Sequence, residues 1–116
     1  MENEKLIESI NKNINIMDET FASFKLKVTK CNIISIAESG EVEVGIEIEG
    51  LADNGSLPQD VNVKIVAYDD KDAIVGIEQA FLYESDFRGF DALWIYFNQE
   101  GIGFRMHSLK VFAQAY

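Results

Sequence analysis

The stretch EVEVGIEIE at residues 41–49 alternates charged and aliphatic side chains almost without interruption. In an extended strand successive side chains point to opposite faces, so Val42, Val44, Ile46 and Ile48 share one side and the glutamates share the other. Gly45 is the one break in the glutamate row. The pattern predicts a strand with one dry and one solvated face, which is typical of an antiparallel sheet.

The same period of two continues on both sides of this stretch, and turn residues separate the segments. We predict an antiparallel β-sandwich of six to seven strands over residues 21–116, with a short N-terminal helix. Its first strand changes phase near Lys30, as a bulge would require. The other predicted strands cover residues 61–67, 74–83, 90–97 and 104–115, and residues 98–103 are predicted to form a hairpin turn.

Residues 1–20 form a separate N-terminal segment with a different period. Its apolar residues recur at helical spacing, which predicts one amphipathic helix: Leu6, Ile7, Ile10, Ile14 and Met17. We expect this helix to cap one end of the sheets; a frayed tail and a partner-binding helix are the alternatives.

The composition excludes several classes of function. The 116 residues are 47% hydrophobic and carry a net charge of −10, which disfavours binding to nucleic acids and to anionic lipid. No window approaches the 18 or more apolar residues that a membrane helix needs. The first residues lack the basic start and apolar run of a signal peptide, so the sequence as given predicts a cytoplasmic protein. It would be extracytoplasmic if a leader had been removed.

Acidic loops offer a candidate metal site. Calcium prefers six to eight oxygen ligands, and Asp69, Asp72, Asp86 and Asp91 could supply some of them from loops at one end of a sandwich. Lys71 opposes a cation there, and aspartate is also what tight turns prefer. The alternative is therefore that Asp69 and Asp72 serve only the turn.

No group of residues predicts catalysis. The glutamates of residues 41–49 lie along a solvated strand face, without the cleft that a pair of catalytic carboxylates needs. Cys31 and His107 are the only pair that could form a nucleophile and base, and nothing in their spacing places them together. A single cysteine also excludes an intrachain disulfide. We predict no catalytic residue and no cofactor.

The strand at residues 90–97 is apolar on both faces. Leu93, Ile95 and Phe97 project one way, while Phe90, Trp94 and Tyr96 project the other. One row should fill the core, and the other must be covered by something else. We expect the N-terminal helix to cover it, and a second copy of the chain and a ligand or peptide are the alternatives. We predict that Phe90, Trp94 and Tyr96 form an interaction surface if the helix leaves them open.

From Val42 to Phe97 the chain resembles the FxLYD-type bacterial domains. The hallmark falls on residues 65–69, where Tyr68 and Asp69 match it, and the hairpin at residues 70–73 supports it. The resemblance implies an immunoglobulin-like sandwich without catalytic residues that acts as an accessory or binding module. The expected function is protein–protein interaction or self-association, with a homodimer as one form. A ligand- or calcium-binding module is the alternative.

Overall fold

A computed structural model describes residues 2–116, which form seven strands and three short helices. The helices are α1 (Glu2–Asn11), α2 (Asp18–Ala22) and α3 (Ile102–Arg105). The strands are β1 (Ile14–Ile16), β2 (Leu26–Ile36), β3 (Val42–Gly50), β4 (Val61–Tyr68), β5 (Ile74–Leu82), β6 (Phe90–Phe97) and β7 (Ser108–Ala115).

The strands form two sheets, and the predicted β-sandwich is confirmed. One sheet has three strands in the order β2-β3-β6, and the other has four in the order β1-β7-β4-β5. All pairings are antiparallel except that of β1 with β7. Strand β3, which carries the alternating stretch, is the centre of the three-stranded sheet, with Val42 opposite both Ile36 and Phe97.

The core lies between the inner faces of the two sheets, as the alternation predicts. Val42, Val44, Ile46 and Ile48 of β3 are fully buried, and so are Val61, Val63, Ile65 and Ala67 of β4. Burying one such valine or isoleucine stabilises the fold by about 1.5–3 kcal/mol relative to leaving it exposed. The glutamates of β3 point outward.

The N-terminal segment differs from the single helix that was predicted over residues 1–20. Helix α1 ends at Asn11, Ile14 lies in β1 opposite Leu109, and α2 buries Phe21 in the core. The asparagines explain where the helix ends, because asparagine favours hydrogen bonds to nearby backbone over a helix interior. The Asn13 side chain donates to the Ser9 carbonyl at the end of α1.

The predicted hairpin turn at residues 98–103 is also wrong, because β6 and β7 belong to different sheets. The chain crosses between the sheets through α3, so Phe104 lies in a helix and not in the last strand. Ile102 is fully buried at this crossing. The segment is held by hydrogen bonds from the Gly101 amide to the Ser39 carbonyl and from the Gly103 amide to the Gly40 carbonyl.

Candidate functional site

Strand β6 presents an uncovered row of aromatic side chains. Its inward residues meet the core, with Ile95 and Phe97 buried and Leu93 half-buried. Its outward residues Phe90, Trp94 and Tyr96, here called the aromatic row, are 53%, 56% and 50% exposed. Residues of this size are seldom left so open in a contiguous row unless something binds there.

The expectation that the N-terminal helix would cover this row is wrong. Helix α1 packs against β2 and β7, and β2 is the strand at the opposite edge of the three-stranded sheet from β6. Residues near the end of α1 help to hold it there. Ile10 is buried in the core, and the Asn11 Oδ1 atom accepts a hydrogen bond from the Ile33 amide at 2.7 Å.

A groove of about 320 Å³ runs beside Trp94 on the outer face of the three-stranded sheet. Gly45 lies directly opposite Trp94 in the strand register and has no side chain to fill the space. The Ile34 side chain leans over this glycine, because a Cβ atom built on Gly45 would lie 2.5 Å from the Ile34 Cδ1 atom. Ala92 is also small, and together with Gly45 and Ile34 it gives the groove an apolar floor.

Glu43 holds the Tyr96 end of the aromatic row through a hydrogen bond. The Tyr96 hydroxyl donates to the Glu43 carboxylate at 3.0 Å, and the Ser35 hydroxyl donates to the same group at 3.3 Å. The hydrogen bond to an anionic acceptor raises the pKa of Tyr96. It also holds the ring in one orientation, which lowers the entropy that a partner must remove on binding.

The four aspartates of the predicted calcium site do not form one site. Asp69 and Asp72 precede β5, whereas Asp86 follows it and Asp91 lies near the start of β6. A strand of nine residues spans about 30 Å, so the two pairs lie at opposite ends of the sandwich. Among residues 2–116, no group of three or more His, Cys, Asp or Glu side chains could hold a metal ion.

Asp69 instead stabilises its own turn. Its Oδ1 atom accepts hydrogen bonds from the Lys71 amide at 2.9 Å and the Ala73 amide at 3.0 Å. These two bonds lower the pKa of the Asp69 carboxyl group. The turn chemistry of aspartate therefore accounts for Asp69. Asp91 lies within β6, where its Oδ1 atom accepts a hydrogen bond from the Ala92 amide.

Cys31 and His107 occupy different parts of the sandwich. Cys31 lies in the middle of β2, half-buried, and burial raises the pKa of its thiol to about 12. A thiol of this kind is a poor nucleophile, because the thiolate is the reactive form. His107 directly precedes β7 and lines a shallow cleft with Asp69, Asp70 and Arg105, and Cys31 is not part of that cleft.

Sequence reasoning identified the aromatic row and missed the groove beside it. Lys30, Asn32 and Glu47 line the groove together with Gly45 and Ile34. The available signal was the glycine that interrupts the glutamate row of residues 41–49. Its meaning depends on the register that places Gly45 opposite Trp94, which the sequence does not show.

None of the described helices is long and apolar enough to span a membrane. No protein-family model matches the chain, and no curated protein is significantly similar to it. Two solved structures that are similar to it are those of β-glucosidase from Kluyveromyces marxianus, one in complex with glucose and one labelled with selenomethionine. Each is 12% identical, with a TM-score of 0.33 over 80% of this chain and 14% of the β-glucosidase chain. At these values the similarity supports neither a shared fold nor a shared activity.

Proposed function

We propose that this chain is a non-catalytic, immunoglobulin-like β-sandwich module that self-associates through the aromatic row. The observation that carries the proposal is the exposure of Phe90, Trp94 and Tyr96, each about half open on a strand whose other face is in the core. Tryptophan and tyrosine are the residues that most often dominate binding energy at protein interfaces. Here they stand together on a regular sheet, with Tyr96 held in place by Glu43.

The order of the strands supports the immunoglobulin-like part of the proposal. In that fold, strands A, B and E are neighbours in one sheet, and strands G, F, C and C′ are neighbours in the other. The sheet β2-β3-β6 has the first order, and β1-β7-β4-β5 has the second, with β1 in the position of strand G. The closing strand then comes from the N-terminal segment and runs parallel to β7.

Sedimentation velocity over a range of protein concentrations tests the function. We expect the wild-type chain to form dimers. We expect Trp94→Ala to weaken them by about 2 kcal/mol, roughly thirtyfold in Kd, because tryptophan at the centre of an interface commonly contributes this much. Tyr96→Ala should weaken them in the same direction.

Phe104→Ala is the matched control. Phe104 is a large aromatic residue that is 52% exposed, but it lies in α3 and outside the aromatic row. Its removal should leave association unchanged. A wild-type chain that stays monomeric at high concentration would refute the proposal. Equal increases in the dimer Kd for Phe104→Ala and Trp94→Ala would also refute it.

A further inference from the structure

Every second residue of β6 directs its backbone N–H and C=O groups toward the open edge of the sheet. The Gly50 amide donates to the Gly89 carbonyl at 2.8 Å just before β6, and hydrogen-bonded pairs alternate along an antiparallel ladder. Asp91, Leu93 and Ile95 therefore turn their backbone groups toward β3. The residues that turn theirs to the open edge are Phe90, Ala92, Trp94 and Tyr96. Within residues 2–116, no backbone partner is found for the outward amides of Phe90, Trp94 and Tyr96.

This edge lacks the register shifts and the helix that protect the opposite edge of the same sheet, although β5 of the other sheet packs beside it. Exposed edge strands are normally blunted by bulges, lysines, prolines or a covering element. Strand β2 has two register shifts, and α1 lies along it, with the Asn3 side chain donating to the Ile36 carbonyl at 3.1 Å. Strand β6 pairs regularly with β3 and has a single charged residue, Asp91. A strand of this kind is a template for pairing with another strand.

Charge decides how a second copy can approach. The chain carries a net charge of −10, and stacking two outer faces would bring Glu43, Glu47 and Glu49 of both copies together. Edge-to-edge pairing instead separates the two β3 strands by three strand spacings, about 14 Å. That distance exceeds the screening length of about 8 Å at physiological salt, so repulsion between the glutamates is largely screened.

The side chains select one register. In two antiparallel copies of β6, the residues that turn their backbone groups to the open edge must lie opposite one another, so that both amides and carbonyls find partners. When Leu93 lies opposite the partner's Leu93, Phe90 faces the partner's Tyr96 and Ala92 faces the partner's Trp94. All four outward residues are then paired, and each indole meets a methyl group. A shift by two residues would place Trp94 against the partner's Trp94 and leave Phe90 beyond the end of the partner's strand.

We infer that the partner of this module is a second copy of the chain, joined by antiparallel pairing of β6 with β6 around a two-fold axis at Leu93. The inference rests on the proposed function and specifies its geometry. It makes one continuous six-stranded sheet from two three-stranded sheets, with the two aromatic rows meeting on its outer face.

Disulfide trapping tests the register. Leu93 and the partner's Leu93 form a non-hydrogen-bonded pair, with Cα atoms about 4.5 Å apart, and this lies within the range of a disulfide. In a Cys31→Ala background, Leu93→Cys should give mostly covalent dimer in a glutathione redox buffer. Asp91→Cys is the control on the same strand, because residue 91 would face the partner's Ile95 and not its own copy. Equal yields from the two variants would overturn the inferred register.

Proline substitution tests the backbone pairing. Trp94→Pro and Trp94→Ala both remove the indole, but only proline removes the outward amide. The bonds to β3 come from the neighbouring residues, so the monomer should keep its fold, as circular dichroism would show. We expect Trp94→Pro to weaken dimerisation at least tenfold beyond Trp94→Ala in sedimentation velocity.

The failures of the two proposals are distinguishable. If the wild-type chain dimerises but Trp94→Pro and Trp94→Ala associate equally, the copies meet through side chains alone. The edge pairing is then wrong while the proposed function stands. If the wild-type chain does not associate, both are wrong.

Discussion

Replacing Asn62 by leucine should stabilise this protein. Asn62 lies on the outer face of β4, between Phe81 and Gln114 on the neighbouring strands, and is only 9% exposed. Its Nδ2 atom donates to the Gln79 Oε1 atom at 3.0 Å. Its Oδ1 atom is buried, and no partner for it is found in the described part of the chain. Either orientation of the amide leaves one end of the group unpaired.

The size of the effect follows from two opposing contributions. An unpaired buried acceptor costs about 1–3 kcal/mol, whereas the hydrogen bond to Gln79 contributes about 1 kcal/mol. Leucine has nearly the shape of asparagine. It therefore removes the cost of the unpaired acceptor and loses only the hydrogen bond to Gln79. Because Gln79 is exposed, water can donate a hydrogen bond to its Oε1 atom once Asn62 is replaced. The expected gain is about 1 kcal/mol, and for a domain of this size that raises Tm by roughly 4 °C.

Urea denaturation and thermal melting followed by circular dichroism measure this change. Gln79→Ala is the matched control, since it removes the one partner of the Asn62 amide and should destabilise by about 1 kcal/mol. If Asn62→Leu instead lowers the urea midpoint with an unchanged slope, the Oδ1 atom is satisfied in solution and the premise is wrong.

Three further predictions concern turns and the thiol. Gly101→Ala should cost about 1–2 kcal/mol, because Gly101 has φ +78 and open space around it, and Gly40→Ala should cost at least 2 kcal/mol more. The added cost arises because a Cβ atom on Gly40 would lie 2.5 Å from the Gly101 Cα atom; equal melting points for the two variants would contradict it. The raised pKa of Cys31 predicts slow labelling by Ellman's reagent when the protein is folded and full labelling in urea, and equal rates would count against its burial. The lowered pKa of Asp69 means that its turn bonds stabilise the fold above the ordinary carboxyl pKa and are lost as the pH falls through the lowered value. Asp69→Ala should therefore lower Tm at neutral pH and match the wild type in acid, and a pH-independent difference would refute this.

The strands were predictable from the sequence because their signal is local. Alternation over β3 and β4 identifies the residues that face the core, and the structure buries them. The phase change near Lys30 corresponds to a register shift between Val28 and Lys30. A second shift, between Ile33 and Ser35, was not predicted. The isoleucines around it look like one continuous apolar run, and only the pairing with β3 shows that Ile34 lies outside the core.

The errors concern features that depend on distant contacts. Strand β1 has three residues, too few for a period, and it exists because Ile14–Ile16 pair with residues 109–111. The crossing through α3 depends on which sheet β7 joins, and turn residues between two strands do not reveal this. The helix was expected over the aromatic row because that row needed a cover. Helix α1 instead covers the edge of β2.

The sequence pattern of β6 therefore does not match its position in the fold. A strand that is apolar on both faces normally lies inside a sheet that is covered on both sides. Strand β6 lies at an edge, with one face in the core and the other in solvent. At β3 the local pattern and the tertiary environment agree, because its glutamates face solvent and its aliphatic residues face the core. Such a conflict is expected at a functional site, because contacts outside the chain resolve it. Pairing of β6 with a second β6 would remove the open edge and bring the two aromatic rows into contact, so that each row covers part of the other.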